Sequence, residues 1–133
     1  MRELMFRGKA KSDGRWIISD SIAQYAEGDV HLYDEVTHTE PEVDPATVGQ
    51  FIGLTDKNGV NIFEGDIVKR EFTLWHGETK NTRETQIGVI VFDRSEFIAR
   101  TVKGKGNYFG IKHVWKADTL EIIGNIHDNG DLI

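Results

Sequence analysis

One stretch of this sequence places cations and aromatic rings together, and it is the strongest candidate for a binding function. Between Ile98 and Ala117 there are five basic residues and no acid, and aromatic side chains lie between the cations. Small β-barrels hold single-stranded nucleic acid in this way, because bases stack on the rings while Lys and Arg follow the phosphates. The candidate binding residues are Arg100, Lys103, Lys105, Tyr108, Lys112, Trp115 and Lys116, with Trp75 from an earlier polar stretch.

Two other interpretations of this basic aromatic segment (residues 100–116) stay open. Its cations also suit contact with an acidic protein surface. Alternatively, its rings face the core while its lysines line a solvated strand edge, where Lys discourages edge-to-edge aggregation. Trp75 presents a similar choice, since an exposed ring would mark a contact site and a packed ring would only complete the core.

The acids are gathered in a different part of the chain. From Trp16 to Asp56 there are nine acidic residues and no Lys or Arg, and the whole chain carries a net charge of −6. A negative protein is not a purely electrostatic coat on DNA, because non-specific binding depends on neutralising phosphates. The acidic segment (residues 16–56) of one copy could instead face the basic aromatic segment of another, which predicts a homo-oligomer.

No spacing in the chain matches a catalytic or metal-binding motif. The sequence has no Cys, no P-loop, no G-x-S-x-G and no dinucleotide fingerprint. Asp56 to Gly59 does not fit a calcium loop, which needs Gly at the sixth position. His113 and His127 lack the helix that would complete a metal-dependent nuclease site. We therefore expect no catalytic residues, no metal, no cofactor and no enzymatic activity.

Glycine-bearing turns between short apolar runs predict a mainly β chain. There are fourteen Gly and two Pro, and the densest alternation of turns and apolar residues runs from Gly49 to Val68. Within it Asn58-Gly59 is the strongest short hairpin signal, and the carboxylates of Glu64 and Asp66 on either side of Gly65 can accept backbone N–H groups of their turn. The residues to which we assign structural roles in this motif are Gly53, Asp56, Asn58, Gly59, Glu64, Gly65 and Asp66.

The expected architecture is an N-terminal hairpin followed by a small SH3-like or OB-like barrel, with at most short helices. The hairpin turns at Asp13-Gly14, and residues 1–48 continue into an acidic exposed loop that begins at Asp34 and holds both prolines. The barrel takes residues 49–133, and the polar stretch from Thr73 to Gln86 is its hairpin tip or a loop. Residues 1–133 are expected to form a single domain.

Nothing in the sequence predicts contact with a membrane. No run approaches the roughly 20 apolar residues that span a bilayer, and residues 1–7 do not form the apolar core of a signal peptide. The absence of Cys fits a reducing compartment. We expect a cytoplasmic protein.

The sequence of the central motif resembles that of the YopX-like family of phage and prophage proteins. The similarity lies in residues 49–59 and 62–68, and it extends to residues 6–9, 13–16 and 121–129. The resemblance implies a small, predominantly β, self-associating protein encoded by a bacteriophage or prophage and working in the bacterial host cell. It carries over no catalytic residues. We expect an accessory protein that binds itself or a host or phage protein, with nucleic-acid binding by residues 100–116 as the alternative.

Overall fold

The structure is a computed structural model that describes residues 4–75, 77, 81–104, 106–111 and 120–133. The chain is mainly β, which confirms the expected class, and short 3-10 turns span Pro45–Thr47 and Gly130–Leu132. Within the described ranges the strands are β1 Phe6–Lys9, β2 Trp16–Ser19, β3 Ile22–Gln24, β4 Val30–Leu32, β5 Glu42–Val43, β6 Gly49–Thr55, β7 Asn61–Phe63, β8 Asp66–Trp75, β9 Asn81–Asp93, β10 Glu96–Lys103, β11 Tyr108–Gly110 and β12 Leu120–Asn125.

The chain forms two compact units that divide inside β6. The first runs from Met1 to Gly53 and the second from Leu54 to Ile133. The boundary falls close to the expected division between residues 48 and 49. That the whole chain is one domain stays a prediction.

The first unit contains the expected N-terminal hairpin. β1 and β2 pair antiparallel, and β1 also pairs with β6. A second sheet has the order β3-β4-β5. Apolar side chains from these strands and the adjoining turn bury one another, which is the main favourable term in folding. The buried cluster consists of Ala10, Ile17, Val30, Leu32 and Val43, with Phe6 and Val48 packed against it.

Most of the acidic stretch after β4 is exposed, as expected, but a few of its residues are buried. Val43 is fully buried in β5, and Asp34 is only 3% exposed and pairs with Arg15. Asp44 accepts the N–H of Ala46 and so caps the first 3-10 turn. The stretch is therefore tied into the first unit by one apolar and two acidic anchors.

The second unit is built on a five-stranded antiparallel sheet with the order β11-β10-β9-β8-β12. β8 and β9 form a long hairpin whose register runs from Ile67 opposite Val89 to Trp75 opposite Asn81. Of the two expectations for the polar stretch from Thr73 to Gln86, a hairpin tip or a loop, the described residues fit the hairpin. Its Thr and charged residues remain half-buried or exposed because the ribbon extends beyond the part of β8 that β12 covers.

The described strands do not close into the expected SH3-like or OB-like barrel. β11 and β12 are the two edges of the sheet, and they are not paired with each other. The turn before β7 satisfies the outer edge of β12 instead, because Lys57 donates its N–H to the carbonyl of Leu120 and the carboxylate of Asp56 accepts the N–H of Ile122. An edge covered in this way is protected from pairing with another chain without closure of the sheet.

Buried side chains from several strands form the core of the second unit. Ile62, Ile67 and Val68 of the central motif are fully buried. Ala99 and Leu120 are also fully buried, and further buried residues come from β9, β11 and the segment after it. No helical segment within the described ranges is long and apolar enough to cross a membrane.

Candidate interaction surface

The structure describes three of the candidate binding residues with their side chains. Arg100 and Tyr108 are exposed and face each other across the β10–β11 pair, and Lys103 is exposed at the end of β10. Trp75 ends β8 and pairs with Asn81, but its side chain lies outside the described part of the structure. The remaining candidates, which lie outside the described residues, are Lys105, Lys112, Trp115 and Lys116.

Neighbouring aromatic residues of this segment have opposite environments. Tyr108 is 63% exposed, whereas Phe109 is 5% exposed and belongs to the core. The two differ because side chains alternate between the faces of a strand. The interpretation that rings face the core therefore applies to Phe109, and the interpretation that a ring is available for contact applies to Tyr108.

A tight turn next to Tyr108 completes the surface. Asp93 at the end of β9 pairs with Glu96 at the start of β10, which leaves Arg94 and Ser95 as a two-residue loop. Both have positive φ, at 50° and 70°, although neither is Gly. A two-residue hairpin loop of this kind normally uses Gly or Asn, so this backbone is strained and is held by the strands on either side. The result is a fixed loop that presents Arg94 to solvent.

A shallow cavity of about 220 Å³ lies between this turn and β11. Ile98 lies on its lining and is 5% exposed, and Tyr108 forms one side. Asp93, Arg94 and Glu96 complete the lining. An apolar floor with an aromatic wall and a charged rim is the arrangement found at the energetic centres of protein interfaces.

The charges around this cavity have both signs. Asp93 and Glu96 stand beside Arg94, and Arg100 lies 3.9 Å from a carboxylate oxygen of Asp93. Both members of that pair are exposed, so the contact adds little to stability and leaves the groups available to a partner. We call these four charged residues together with Ile98 and Tyr108 the turn surface: Asp93, Arg94, Glu96, Ile98, Arg100 and Tyr108.

The central glycine motif builds turns and strand geometry. Gly53, Gly59 and Gly65 have φ near +80° to +90°, a conformation that other residues rarely adopt. Asp66 accepts the N–H of Phe63 at 2.8 Å, and Glu64 is half-buried in the same turn.

Asp56 is the most connected carboxylate of the motif. Its Oδ1 accepts the N–H groups of Asn58 and Val60 at 2.9 and 3.0 Å, and its Oδ2 accepts that of Ile122 at 3.0 Å. Burial acts to raise the pKa of Asp56, but the three N–H donors outweigh it and hold that pKa below its usual value. Asp56 therefore joins its own turn to β12.

A second charged cluster in the second unit was not expected from the sequence. It lines a hollow of about 210 Å³ on the sheet. Lys69 and Arg83 lie 3.4 Å from the carboxylate of Glu71, and they lower the pKa of that group. The signal in the sequence was the alternation of Lys69 and Glu71, which places both on one strand face. Lys57 and Glu121 complete the lining, 3.4 Å apart.

Some acidic side chains of the first unit already pair with Arg15 or His31 of the same unit. Asp34 pairs with Arg15, and its pKa is held below its usual value by that hydrogen bond. Asp29 lies 2.7 Å from Nε2 of His31. The acidic surface left for another molecule is therefore smaller than the sequence indicates. In the described residues, His, Asp and Glu side chains do not gather into a group that could hold a metal ion.

Comparison with known proteins places the chain in a family. The crystal structure of protein EF1440 from Enterococcus faecalis resembles it with a TM-score of 0.48 and 19% sequence identity, over 99% of both chains. Comparison with curated proteins gives no match. The family model described as YopX protein matches residues 5–133, and the chain belongs to the YopX protein family.

Proposed function

We propose that this protein is a non-enzymatic interaction protein of a phage or prophage, and that it self-associates through the turn surface. The observation that carries the proposal is the exposed Tyr108 beside the strained turn that presents Arg94. Tyr and Arg are the residue types that, with Trp, most often dominate binding energy at interfaces. A rigid loop also loses little conformational entropy when it binds.

The balance of charge favours a second copy of the chain as the partner. The turn surface holds two arginines and two acids, so its charges cancel. In a two-fold symmetric pair each residue meets the same surface of the other copy. Arg94 of one copy then faces the acids of the other, and the two acids flanking each turn accept it. This arrangement needs no contribution from the acidic segment of the first unit.

Sedimentation equilibrium over a range of protein concentrations tests the proposal. Tyr108→Ala is expected to weaken association about 30-fold, which corresponds to roughly 2 kcal/mol for an aromatic residue at the centre of an interface. Tyr25→Ala is the matched control, because Tyr25 is an exposed tyrosine of the first unit. Equal weakening by both variants, or a wild type that is monomeric throughout, would contradict the proposal.

Nucleic-acid binding is the second candidate function, and one contact favours it. Arg100 and Tyr108 are cross-strand neighbours with exposed side chains, a pairing that can stack a base and contact a phosphate. The nearby Asp93 and Glu96 repel phosphates, so a protein partner suits this surface better. Fluorescence anisotropy with single- and double-stranded oligonucleotides at low salt decides between them. Binding at micromolar protein that Arg100→Gln weakens would support this second function.

A further inference from the structure

The outer edge of β3 in the first unit lacks the kind of cover that protects β12. β3 is the first strand of the sheet β3-β4-β5, so one of its sides pairs with β4 and the other pairs with no described strand. Its register with β4 is regular, and it contains neither Lys nor Pro. Natural proteins commonly protect an edge with such residues or with a bulge. The edge of β3 is therefore open to a further strand.

The paired run of β3 extends beyond the strand at both ends. The N–H of Tyr33 donates to the carbonyl of Ser21 at 3.2 Å, just before β3 begins. The N–H of Tyr25, just after β3 ends, donates to the carbonyl of Asp29 at 2.9 Å. The open edge therefore runs from Ser21 to Tyr25, and the sheet holds it in an extended conformation.

Alternate residues of this run direct their backbone groups outward. Hydrogen-bonded and non-hydrogen-bonded pairs alternate along an antiparallel ladder. Because Ser21 and Tyr25 are bonded to the strand beside them, Ala23 between them is the next bonded residue. The N–H and C=O groups of Ile22 and Gln24 therefore point away from β4, to the side where an added strand would meet them.

An apolar side chain beside this edge is only partly covered. Ile22 lies opposite Leu32, which is fully buried in the cluster of the first unit, yet Ile22 is 40% exposed. Directly opposed residues share one face of a sheet, so Ile22 stands at the margin of the core. Tyr25, at the end of the same run, is 48% exposed. A strand added along β3 would cover Ile22 and extend the core.

Acidic residues stand at both ends of the open edge. Asp20 precedes it and Glu27 follows it, both are exposed, and neither forms an ion pair with a described residue. The sequence from Trp16 to Asp56 has no Lys or Arg to offset them. Antiparallel pairing of two copies of this edge would bring Asp20 of one close to Glu27 of the other, and like charges repel. The charges therefore favour a partner with basic ends over a second copy of the same edge.

We propose that the open edge of β3 binds an extended basic peptide segment of another protein. The segment adds to the sheet as a further strand and exchanges backbone hydrogen bonds with Ile22 and Gln24. One of its apolar side chains packs on Ile22, and Lys or Arg at its ends pairs with Asp20 and Glu27. β3 belongs to the first unit and the turn surface to the second, so this contact is separate from the proposed self-association.

Fluorescence anisotropy with labelled synthetic peptides tests this contact. The probe alternates Val and Thr between terminal lysines, and a matched peptide ends in glutamates instead. A third peptide keeps the lysines but carries N-methyl groups on its interior residues, which removes its backbone donors without changing its charge. We expect the probe to bind saturably, and the other two peptides to bind about tenfold more weakly or not at all.

Gln24→Pro tests the position of the contact on the protein. It removes an outward-facing N–H group and keeps the bonds to β4, because an edge strand tolerates Pro where the N–H faces solvent. Gln24→Ala is the matched control, since it changes the side chain and keeps that N–H group. We expect Gln24→Pro to bind the probe about tenfold more weakly than Gln24→Ala, with unchanged circular dichroism. The peptide comparison needs no variant and decides the question if Gln24→Pro does not fold.

Three results would overturn the proposal. The first is equal binding of the probe and either matched peptide, since the contact needs both the basic ends and the backbone donors. The second is equal binding of the probe by folded Gln24→Pro and Gln24→Ala. The third is weaker self-association of Gln24→Pro than of Gln24→Ala in sedimentation equilibrium, which would assign the edge to a second copy of the chain.

Discussion

Replacement of Asp56 tests whether one carboxylate joins the central turn to the edge strand of the second unit. Asp56→Ala removes three charge-assisted hydrogen bonds, to the N–H groups of Asn58, Val60 and Ile122. A hydrogen bond to a charged group contributes about 1.5–3 kcal/mol, but water can reach the exposed turn amides once the carboxylate is gone. We therefore expect a loss of about 3–5 kcal/mol in the free energy of unfolding.

Asp56→Asn distinguishes the bonds that Asp56 makes within its own turn from its bond to β12. The amide oxygen of Asn keeps the two turn bonds that Oδ1 accepts, but its NH₂ group meets the N–H of Ile122, donor against donor. The expected loss is about 2–3 kcal/mol, and hydrogen exchange should accelerate at Ile122 more than at Asn58. Urea unfolding followed by circular dichroism measures the first quantity, and amide exchange by NMR measures the second.

The pKa of Asp56 also predicts how its contribution to stability changes with pH. The folded-state pKa of Asp56 is below its unfolded value, so its contribution to stability is fully present above the unfolded pKa, about 3.9. That contribution is lost as the pH falls through the folded pKa. The difference in stability between wild type and Asp56→Asn should therefore be constant near neutrality and shrink below about pH 4. An Asp56→Asn variant as stable as wild type at pH 7, with unchanged exchange at Ile122, would refute this reasoning.

Two further substitutions test the packing and the charge of other regions. Gly88→Ala is expected to destabilise by about 1–3 kcal/mol, because the added methyl would stand 3.0 Å from a backbone oxygen of β10, whereas Gly110→Ala meets no atom within 4 Å and serves as its control in thermal unfolding. The pKa of His31 is raised by hydrogen bonds to the carbonyl of Glu40 and the carboxylate of Asp29, so its stabilising effect is present below the unfolded pKa of about 6.5 and fades as the pH rises through the folded value. A His31→Gln variant should lose this dependence in melting curves recorded from pH 5 to pH 9, and an unchanged slope would show that His31 is not its source.

Local turn chemistry could be predicted from the sequence. Asn58-Gly59 specified a hairpin turn, and the carboxylate of Asp66 in the next turn accepts a backbone N–H group, as expected for Glu64 and Asp66. These features depend only on neighbouring residues. The third partner of Asp56 could not be predicted in this way, because Ile122 lies 66 residues further along the chain.

Burial of polar residues was the main feature that the sequence could not indicate. Asp34 was expected in an exposed loop, but it pairs with Arg15, accepts the N–H of Val36 and is 3% exposed. The same holds for Arg70, which is half-buried and lies beside the ring of Phe109 from β11. Such contacts join strands that are distant in the chain, and period-two alternation carries no information about them.

The candidate site was located only in part. Residues 100–116 led to Arg100 and Tyr108, but the turn that completes the surface lies earlier, at Arg94 and Ser95. Nothing in the sequence marks that turn as strained, because positive φ is expected of Gly or Asn and not of these two residues.

The most direct test of self-association through the turn surface is the exchange of charge between two copies. Arg94→Glu places a third acid beside Asp93 and Glu96, so it should prevent pairing of the variant with itself. A double variant, Asp93→Arg with Glu96→Arg, should likewise be monomeric. Sedimentation equilibrium of the two variants mixed in equal amounts is predicted to restore a dimer. Two variants that remain monomeric when mixed, or that each associate as strongly as wild type, would contradict the account.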